Sequence, residues 1–295
     1  MAQVAVVTDS TSYLPPGWAR RASIEVVPVQ VIVSGHAYDE TDDDQASAVV
    51  EALSSWQPVT TSRPSPVRFV DAFTAAVARG AESIAVVTLS SSMSATHESA
   101  VLAARECAVP VEVVDSRSIA MALGFAALEG SARARLGEDL SAVASGMKEI
   151  SRNSQTFFYV DTLEYLRRGG RIGSTKAAVA QALQVKPILQ VVDGQVVQLD
   201  QVRTAGRALA RLEALAVDAV TKASDQFPAV DIAVQHLAAP ERAVTLAAQL
   251  RERFPSASVV ECPVGGVVGA HVGPGMVAVV VSPRSIASLA LGELG

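Results

Sequence analysis

Aromatic side chains are scarce in this chain of 295 residues, where Phe, Trp and Tyr together make up 4%. Apolar residues still reach 49%, and the mean hydropathy is +0.31. The core is therefore built from Ala, Val, Leu and Ile, and so apolar a composition excludes a disordered chain. The length suits one large domain or two smaller ones. The aliphatic surface has four possible destinations, namely an ordinary core, a subunit interface, a membrane or an apolar ligand.

Cysteine is nearly absent. Cys107 and Cys262 are the two in the chain, and neither belongs to a Cys-x-x-Cys or Cys/His pattern. Two isolated thiols indicate neither a disulfide framework nor a zinc site. Both stand beside apolar residues, which favours small buried side chains. We expect neither a metal nor a cofactor.

Basic residues are in the minority, with 24 Lys and Arg against 30 Asp and Glu, a net charge of −6 and a pI near 5.3. A nucleic-acid-binding protein carries a basic surface to neutralise phosphates. The composition therefore predicts no nucleic-acid partner.

A continuous hydrophobic run long enough to cross a membrane is also missing. The nearest candidate, residues 264–281, contains five glycines and a proline, which would ruin a lone spanning helix. It predicts a glycine loop that leads into a buried strand at 276–281. The N-terminus carries Asp9 and no basic segment, so it does not resemble a signal peptide. We expect a protein of the cytoplasm with no membrane span.

The first half alternates apolar strands with amphipathic helices, which is typical of a parallel sheet covered on both faces. The predicted strands are 3–8, 25–33, 84–89 and 111–115, and the predicted helices are 45–55, 66–79, 94–107 and 118–135.

The second half predicts a mixed sheet with helices. Asp193-Gly194 between two apolar runs is the strongest hairpin signal in the chain, and strand and helix patterns alternate around it. A polar stretch ending at Asn153-Ser154 separates the halves. We predict an α/β fold of two domains, residues 1–154 and 155–295, with the last strand at 276–281 packing back near the domain interface.

Common catalytic motifs are missing: the sequence has no Gly-x-Gly-x-x-Gly, Walker A, Gly-x-Ser-x-Gly or His-Glu-x-x-His pattern. Two hydroxyl-rich clusters instead precede predicted helices, where backbone N–H groups favour a carboxylate or phosphate. The first contains Thr61 and Ser62, and the second contains Ser91, Ser92 and Ser94. Simple helix capping explains either cluster alone, whereas two on neighbouring elements of one sheet favour a shared anion site.

Two glycine-rich segments carry isolated basic side chains. Arg171 lies among Gly169, Gly170 and Gly173, where a sharp turn would present a guanidinium to an anion. His271 lies within residues 265–275, and we expect it to be exposed on a loop where it binds an anion or transfers protons. Arg203 adds a cation at the start of the helix that follows the hairpin.

Seven segments in order resemble the DegV family, whose characterised members include bacterial fatty-acid-binding proteins of the FakB type. They are VVTDSTSYLP, TSRPSP, SSMSATHESA, VVDSRSIAMALG, YVDTLEYLRRGGRIG, VRT and GAHVGPG. The resemblance runs over nearly the whole chain. Two departures are Ala95, where the family has Gly, and His97, where it has Tyr.

The resemblance implies a two-domain DegV-like fold with a long-chain fatty acid in a buried tunnel. Its carboxylate would be held by a Thr and a Ser that map onto Thr61 and Ser94, with Ser62, Ser91 and Ser92 as neighbouring candidates. A partner fatty acid kinase would phosphorylate that carboxylate. The basic residues Arg171, Arg203 and His271 would neutralise the growing charge and engage the kinase, and the carrier itself would have no catalytic residue.

Two other functions stay open from the residues alone. The first is a phosphotransferase or hydrolase that uses His271 and a nearby Ser, although the sequence shows no carboxylate partner for that histidine. The second is a regulatory or interaction module, which four polar clusters argue against.

Overall fold

The computed structural model describes residues 3–40, 45–172 and 185–290. Its strands are β1 (Val4–Asp9), β2 (Ile24–Val27), β3 (Gln30–Val33), β4 (His36–Asp39), β5 (Val59–Ser62), β6 (Ser83–Thr88), β7 (Val111–Asp115), β8 (Gln155–Tyr159), β9 (Lys186–Val192), β10 (Gln195–Val202), β11 (Ala229–His236), β12 (Ser258–Pro263) and β13 (Val277–Arg284). Its α-helices are α1 (Trp18–Arg21), α2 (Gln45–Ser54), α3 (Pro66–Ala78), α4 (Thr96–Ala104), α5 (Met121–Arg135), α6 (Leu140–Asn153), α7 (Glu164–Arg168), α8 (Ala205–Ser224), α9 (Pro240–Arg253), α10 (Gly266–Val272) and α11 (Ile286–Ala290). A short 3₁₀ helix covers Ser10–Ser12.

The first half contains the parallel sheet that its apolar strands predict, in the order β2-β1-β6-β7. One face packs against α3 and α4, and the other packs against α5 and α6. Because both faces are covered, β6 is buried along its whole length.

The predicted single strand 25–33 is wrong. β2 ends at Val27 and pairs in the parallel sheet, whereas β3 begins at Gln30 and belongs to a second, antiparallel sheet in the order β4-β3-β5. Pro28 has no backbone N–H and cannot continue the ladder, so the chain changes sheets there. β4 is exposed and polar, and therefore lacks the apolar pattern of a buried strand.

The second half forms the mixed sheet that the sequence predicts, with the strand order β10-β9-β8-β13-β11-β12 and a parallel β11–β12 pair. Asp193 and Gly194 connect β9 to β10 with φ angles of 52° and 80°, as a tight hairpin turn requires. The strand expected at 276–281 is β13, which lies between β8 and β11. One face of this sheet packs against α8 and α9, and part of the other packs against α5 and α6.

The predicted glycine loop at 265–275 is wrong in its centre, because Gly266–Val272 forms the helix α10. A Cβ on Gly266 would approach Val49 to 2.8 Å, and one on Gly269 would approach Leu237 to 3.0 Å. These glycines therefore let the helix pack closely against α2 and Leu237, and tertiary contact outweighs their poor helix propensity. No helix in the described ranges is long and apolar enough to cross a membrane.

Candidate functional site: an apolar cavity with a polar end

A cavity of about 250 Å³ lies between the two halves of the chain. Its walls are mostly aliphatic and come from both, including Val29 and Leu89 from the first and Phe158, Val268 and Met276 from the second. Leu89 directly follows β6, and β6 and β2 flank β1 on opposite sides. The cavity thus adjoins the carboxyl ends of the parallel strands at the point where the strand order reverses, which is the usual ligand position in such sheets.

Seven polar side chains contribute to this wall within the described residues, including Thr156 of β8. Thr61, Ser62, Ser94, Arg171 and His271, all indicated by the sequence, line the cavity. Arg63 joins them, although the sequence argument did not select it. No Asp or Glu lines the cavity within the described residues. The lining therefore combines an apolar interior with a group of hydroxyls and cations, which we call the polar end.

Thr61 and His271 are in direct contact, with 3.1 Å between Oγ1 and Nε2. β5 carries Thr61 and α10 carries His271, so the contact joins the antiparallel sheet to the second half. The expectation that His271 is exposed on a loop is wrong, because it lies in a helix and is largely buried. Burial, together with the nearby charge of Arg171, lowers the pKa of His271 to about 4. The imidazole is therefore neutral at neutral pH.

The serines of the second cluster face different surroundings. Ser94 lines the cavity, and its hydroxyl lies 2.9 Å from that of Thr96 at the start of α4. Ser91 is exposed and donates to the carboxylate of Asp115, and Ser92 is also exposed. Neither Ser91 nor Ser92 lines the cavity. The sequence does not distinguish Ser91, Ser92 and Ser94, because the direction of each side chain depends on the backbone path of the loop after β6.

Arg171 sits at the turn that its glycines predict. α7 ends at Arg168 with Gly169 as its C-cap, Gly170 has a φ of 66°, and Gly173 lies outside the described residues. The guanidinium donates from Nε to Met93 O at 3.1 Å and from Nη1 to Gly169 O at 2.6 Å. These bonds fix its direction without neutralising its charge, since both acceptors are backbone carbonyls. A Cβ on Gly169 would overlap Nδ1 of His271, so a larger residue at that position would displace the ring or α7.

Arg203 is not part of this group. It is exposed, precedes the helix cap Thr204 of α8 and does not line the cavity. Cys262 is buried, which raises the pKa of its thiol to about 12, and Cys107 is half-buried. No group of three potential metal ligands occurs within the described ranges.

The geometry gives little support to His271 as a general base. A catalytic histidine beside a hydroxyl nucleophile is normally oriented by a third group on its other ring nitrogen. Nδ1 of His271 is buried and has no hydrogen-bond partner within the described residues. The site is better suited to holding a molecule with an anionic head and an apolar tail, because hydroxyls and a guanidinium lie at one part of an aliphatic cavity.

Fold and cavity together define a class, namely an α/β protein with a parallel sheet, a mixed sheet and a cavity of amphipathic lining between the two halves of the chain. The chain belongs to the DegV family, because the model of that family, described as "Uncharacterised protein, DegV family", matches residues 3–284. A DegV domain-containing protein of Streptomyces coelicolor is 46% identical over 282 residues, covering 95% of this chain and 99% of its own.

Solved structures give the same fold. A DegV family protein from Thermus thermophilus, described for its fatty acid binding, has a TM-score of 0.88 and 26% identity, covering 96% of this chain and all of its own. DegV from Bacillus subtilis, described as a fatty acid binding protein, has a TM-score of 0.87 and 27% identity over the same shares. The predicted family and α/β fold class are confirmed.

Proposed function

We propose that this protein binds a long-chain fatty acid, with its acyl chain in the cavity and its carboxylate at the polar end. The observation that carries the proposal is the cavity itself, in which aliphatic walls from both halves adjoin hydroxyls, an imidazole and a guanidinium. Fatty acid binding by the relatives from Thermus thermophilus and Bacillus subtilis supports it.

Thr61 and Ser94 are the proposed carboxylate ligands. Both hydroxyls lie at the cavity wall, and a hydrogen bond to a charged acceptor contributes about 1.5–3 kcal/mol. Arg171 supplies positive charge nearby. Neutral His271 contacts Thr61 and so fixes the direction of that hydroxyl. Ser62 lines the same wall and is a secondary candidate.

We further propose that the bound acid is presented to a fatty acid kinase. One carboxylate oxygen would attack the γ-phosphorus of a nucleoside triphosphate supplied by that kinase. The bond from this phosphorus to the β,γ-bridging oxygen would break, and the diphosphate would leave with the electron pair. Arg171 and His271 would stabilise the acyl phosphate, and exposed Arg203 would contact the kinase. On this proposal residues 1–154 and 155–295 are two domains of a cytoplasmic carrier without a catalytic residue of its own.

Binding is tested with delipidated protein. Mass spectrometry of the extract from freshly purified protein identifies the natural ligand, and titration calorimetry then measures its affinity. We expect Thr61→Ala and Ser94→Ala each to weaken binding roughly tenfold or more. Ser92→Ala is the matched control, since Ser92 is exposed and outside the cavity. Equal affinities for all variants would refute the assignment of the polar end.

Presentation is tested separately. Loaded protein is mixed with ATP, hydroxylamine and cell lysate, and any acyl phosphate is trapped as a hydroxamate. We expect hydroxamate only when both lysate and the fatty-acid-loaded protein are present. Hydroxamate from purified protein and ATP alone would instead favour an enzyme.

A further inference from the structure

A second cavity of about 420 Å³ adjoins the polar end. It shares Thr61, Arg171 and His271 with the apolar cavity. Its other walls include Trp56 and Arg168, whose exposure is 59% for the whole tryptophan and 60% for the arginine side chain. This outer cleft therefore lies between the polar end and solvent.

The outer cleft is built around an aromatic stack. The rings of Trp56 and Tyr165 are 5.7 Å apart and nearly parallel, at 13°. Tyr165 is anchored by a hydrogen bond of 3.2 Å from its hydroxyl to Leu53 O. The guanidinium carbon of Arg168 lies 5.1 Å from the centre of the Trp56 ring, within the range of a cation–π contact. The stack thus restrains the position of Arg168.

The charged side chains that line the outer cleft within the described residues are all basic. Arg168 and Arg171 line it beside the neutral imidazole of His271, and no Asp or Glu does so within the described part of the chain. Glu164 lies outside this lining and accepts from Nε of Arg168 at 2.8 Å. This hydrogen bond uses Nε of Arg168, so the terminal amino groups can be directed at an anion.

A phosphoryl group added to a carboxylate at the polar end needs a position of its own. The apolar cavity would have to desolvate a dianion against aliphatic side chains, which is strongly unfavourable. The outer cleft adjoins the same Thr61 and His271 and offers two guanidinium groups and access to water. Resting on the proposed function, we infer that the outer cleft is the subsite for the phosphoryl group of the acyl phosphate, with Arg168 as a phosphate contact.

A stable analogue tests this subsite. A long-chain β-ketophosphonate keeps the acyl chain and carbonyl and carries a phosphonate on a carbon–phosphorus bond that does not hydrolyse. Its affinity is compared with that of the fatty acid of the same chain length. We expect Arg168→Gln to lower the ratio of phosphonate to fatty acid affinity roughly three- to tenfold, since Arg168 is partly exposed. The difference should shrink at high salt.

Arg167→Gln is the matched control. Arg167 is the adjacent arginine on α7, pairs with the same Glu164 at 3.6 Å and does not line the outer cleft. It should leave the affinity ratio unchanged. In a Trp18→Phe background, the fluorescence of Trp56 should change on addition of the phosphonate.

The outcomes separate this inference from the proposed function. Fatty acid binding with an equal ratio in wild type, Arg168→Gln and Arg167→Gln would overturn the phosphoryl subsite alone. An unchanged Trp56 signal on saturation with the phosphonate would do the same. A delipidated wild type that binds no fatty acid would overturn the proposed function itself.

Discussion

Glu40 and Val267 are joined by a hydrogen bond of 2.6 Å, from the backbone N–H of Val267 at the start of α10 to the carboxylate of Glu40, which directly follows β4. The same carboxylate accepts from the hydroxyls of Tyr13 at 2.7 Å and Ser10 at 2.9 Å. Tyr13 in turn accepts from the N–H of Val268 at 3.1 Å. Side chains of the first half of the chain therefore hold the N-terminal turn of α10, the helix that carries His271. No sequence motif marks Glu40, which stands close to the acidic residues Asp42, Asp43 and Asp44 in the sequence.

Replacement of Glu40 should change the pH dependence of stability. Burial raises the pKa of Glu40 from 4.5 to about 7, against the opposing effect of its hydrogen bonds. A carboxyl group with a higher pKa in the folded state contributes stability that is fully present below its unfolded pKa and is lost as the pH rises through the folded pKa. We expect the free energy of unfolding of wild type to lose on the order of 3 kcal/mol from this group between pH 4.5 and 7. In urea titrations, the free energy of unfolding of Glu40→Gln should fall less over the same pH range.

Other buried titratable groups also affect stability between pH 4.5 and 7, and they are the same in wild type and in Glu40→Gln. Asp9 has its pKa raised to about 6 by burial and acts in the same direction as Glu40. His271 acts in the opposite direction, because its pKa is lowered and its contribution is lost as the pH falls from 6.5 to about 4. Glu82→Gln, at an exposed position, should keep the wild-type pH profile. A wild-type pH profile in Glu40→Gln as well would refute the raised pKa of Glu40.

Binding of the acid should be accompanied by proton uptake. A carboxylate near His271 favours the imidazolium and so raises a pKa that burial and Arg171 hold near 4. At pH 6, calorimetry in buffers of different ionisation enthalpy should show a buffer-dependent heat of binding. His271→Gln should reduce that dependence while retaining any uptake by the acid itself. Identical buffer dependence in both proteins would mean that His271 does not sense the carboxylate.

Gly169→Ala should damage the polar end. The added Cβ would overlap Nδ1 of His271, so the ring or α7 must shift. We expect fatty acid affinity to fall roughly tenfold, because the Thr61–His271 contact is displaced and one charge-assisted bond is weakened. Gly206→Ala is the matched control, since a Cβ there meets nothing within 4 Å and should stabilise α8 by at most about 1 kcal/mol. Wild-type affinity in Gly169→Ala would show that the imidazole position is unimportant for binding.

Removal of the ligand should lower the melting temperature. A ligand that binds only the folded state at 100 times its Kd stabilises by about 2.7 kcal/mol. We expect delipidated protein to melt at a lower temperature in calorimetric scans and to recover on addition of fatty acid. A short-chain acid such as acetate should give no recovery, because it fills little of the aliphatic cavity. Equal recovery with acetate would place the stabilising interaction at the polar end alone.

The sequence predicts the elements whose patterns are local. The parallel strands, the Asp193-Gly194 hairpin and the mixed sheet follow from apolar runs and turn chemistry. The antiparallel sheet does not, because polar β4 and the Thr-rich β5 lack that pattern. α10 was missed for the opposite reason, since its glycines look like a loop until Val49 and Leu237 are seen to pack against them.

The candidate site was also predicted in part. Position before a helix selected the two hydroxyl clusters, the surrounding glycines selected Arg171, and the family resemblance singled out Thr61 and Ser94. The contact of Thr61 with His271 spans 210 positions and depends on the folding of both halves. Ser91 and Ser94 have the same chemistry in the sequence, but backbone direction turns one toward Asp115 and the other toward the cavity.

The walls of the apolar cavity come from both halves of the chain. Neither half alone encloses it, so during synthesis Val29 and Leu89 emerge from the ribosome before Val268 and Met276 exist to cover them. If the proposed function holds, a fatty acid joins this core only after both halves of the chain have been made. On this proposal, the last part of the core comes from a molecule that the gene does not encode.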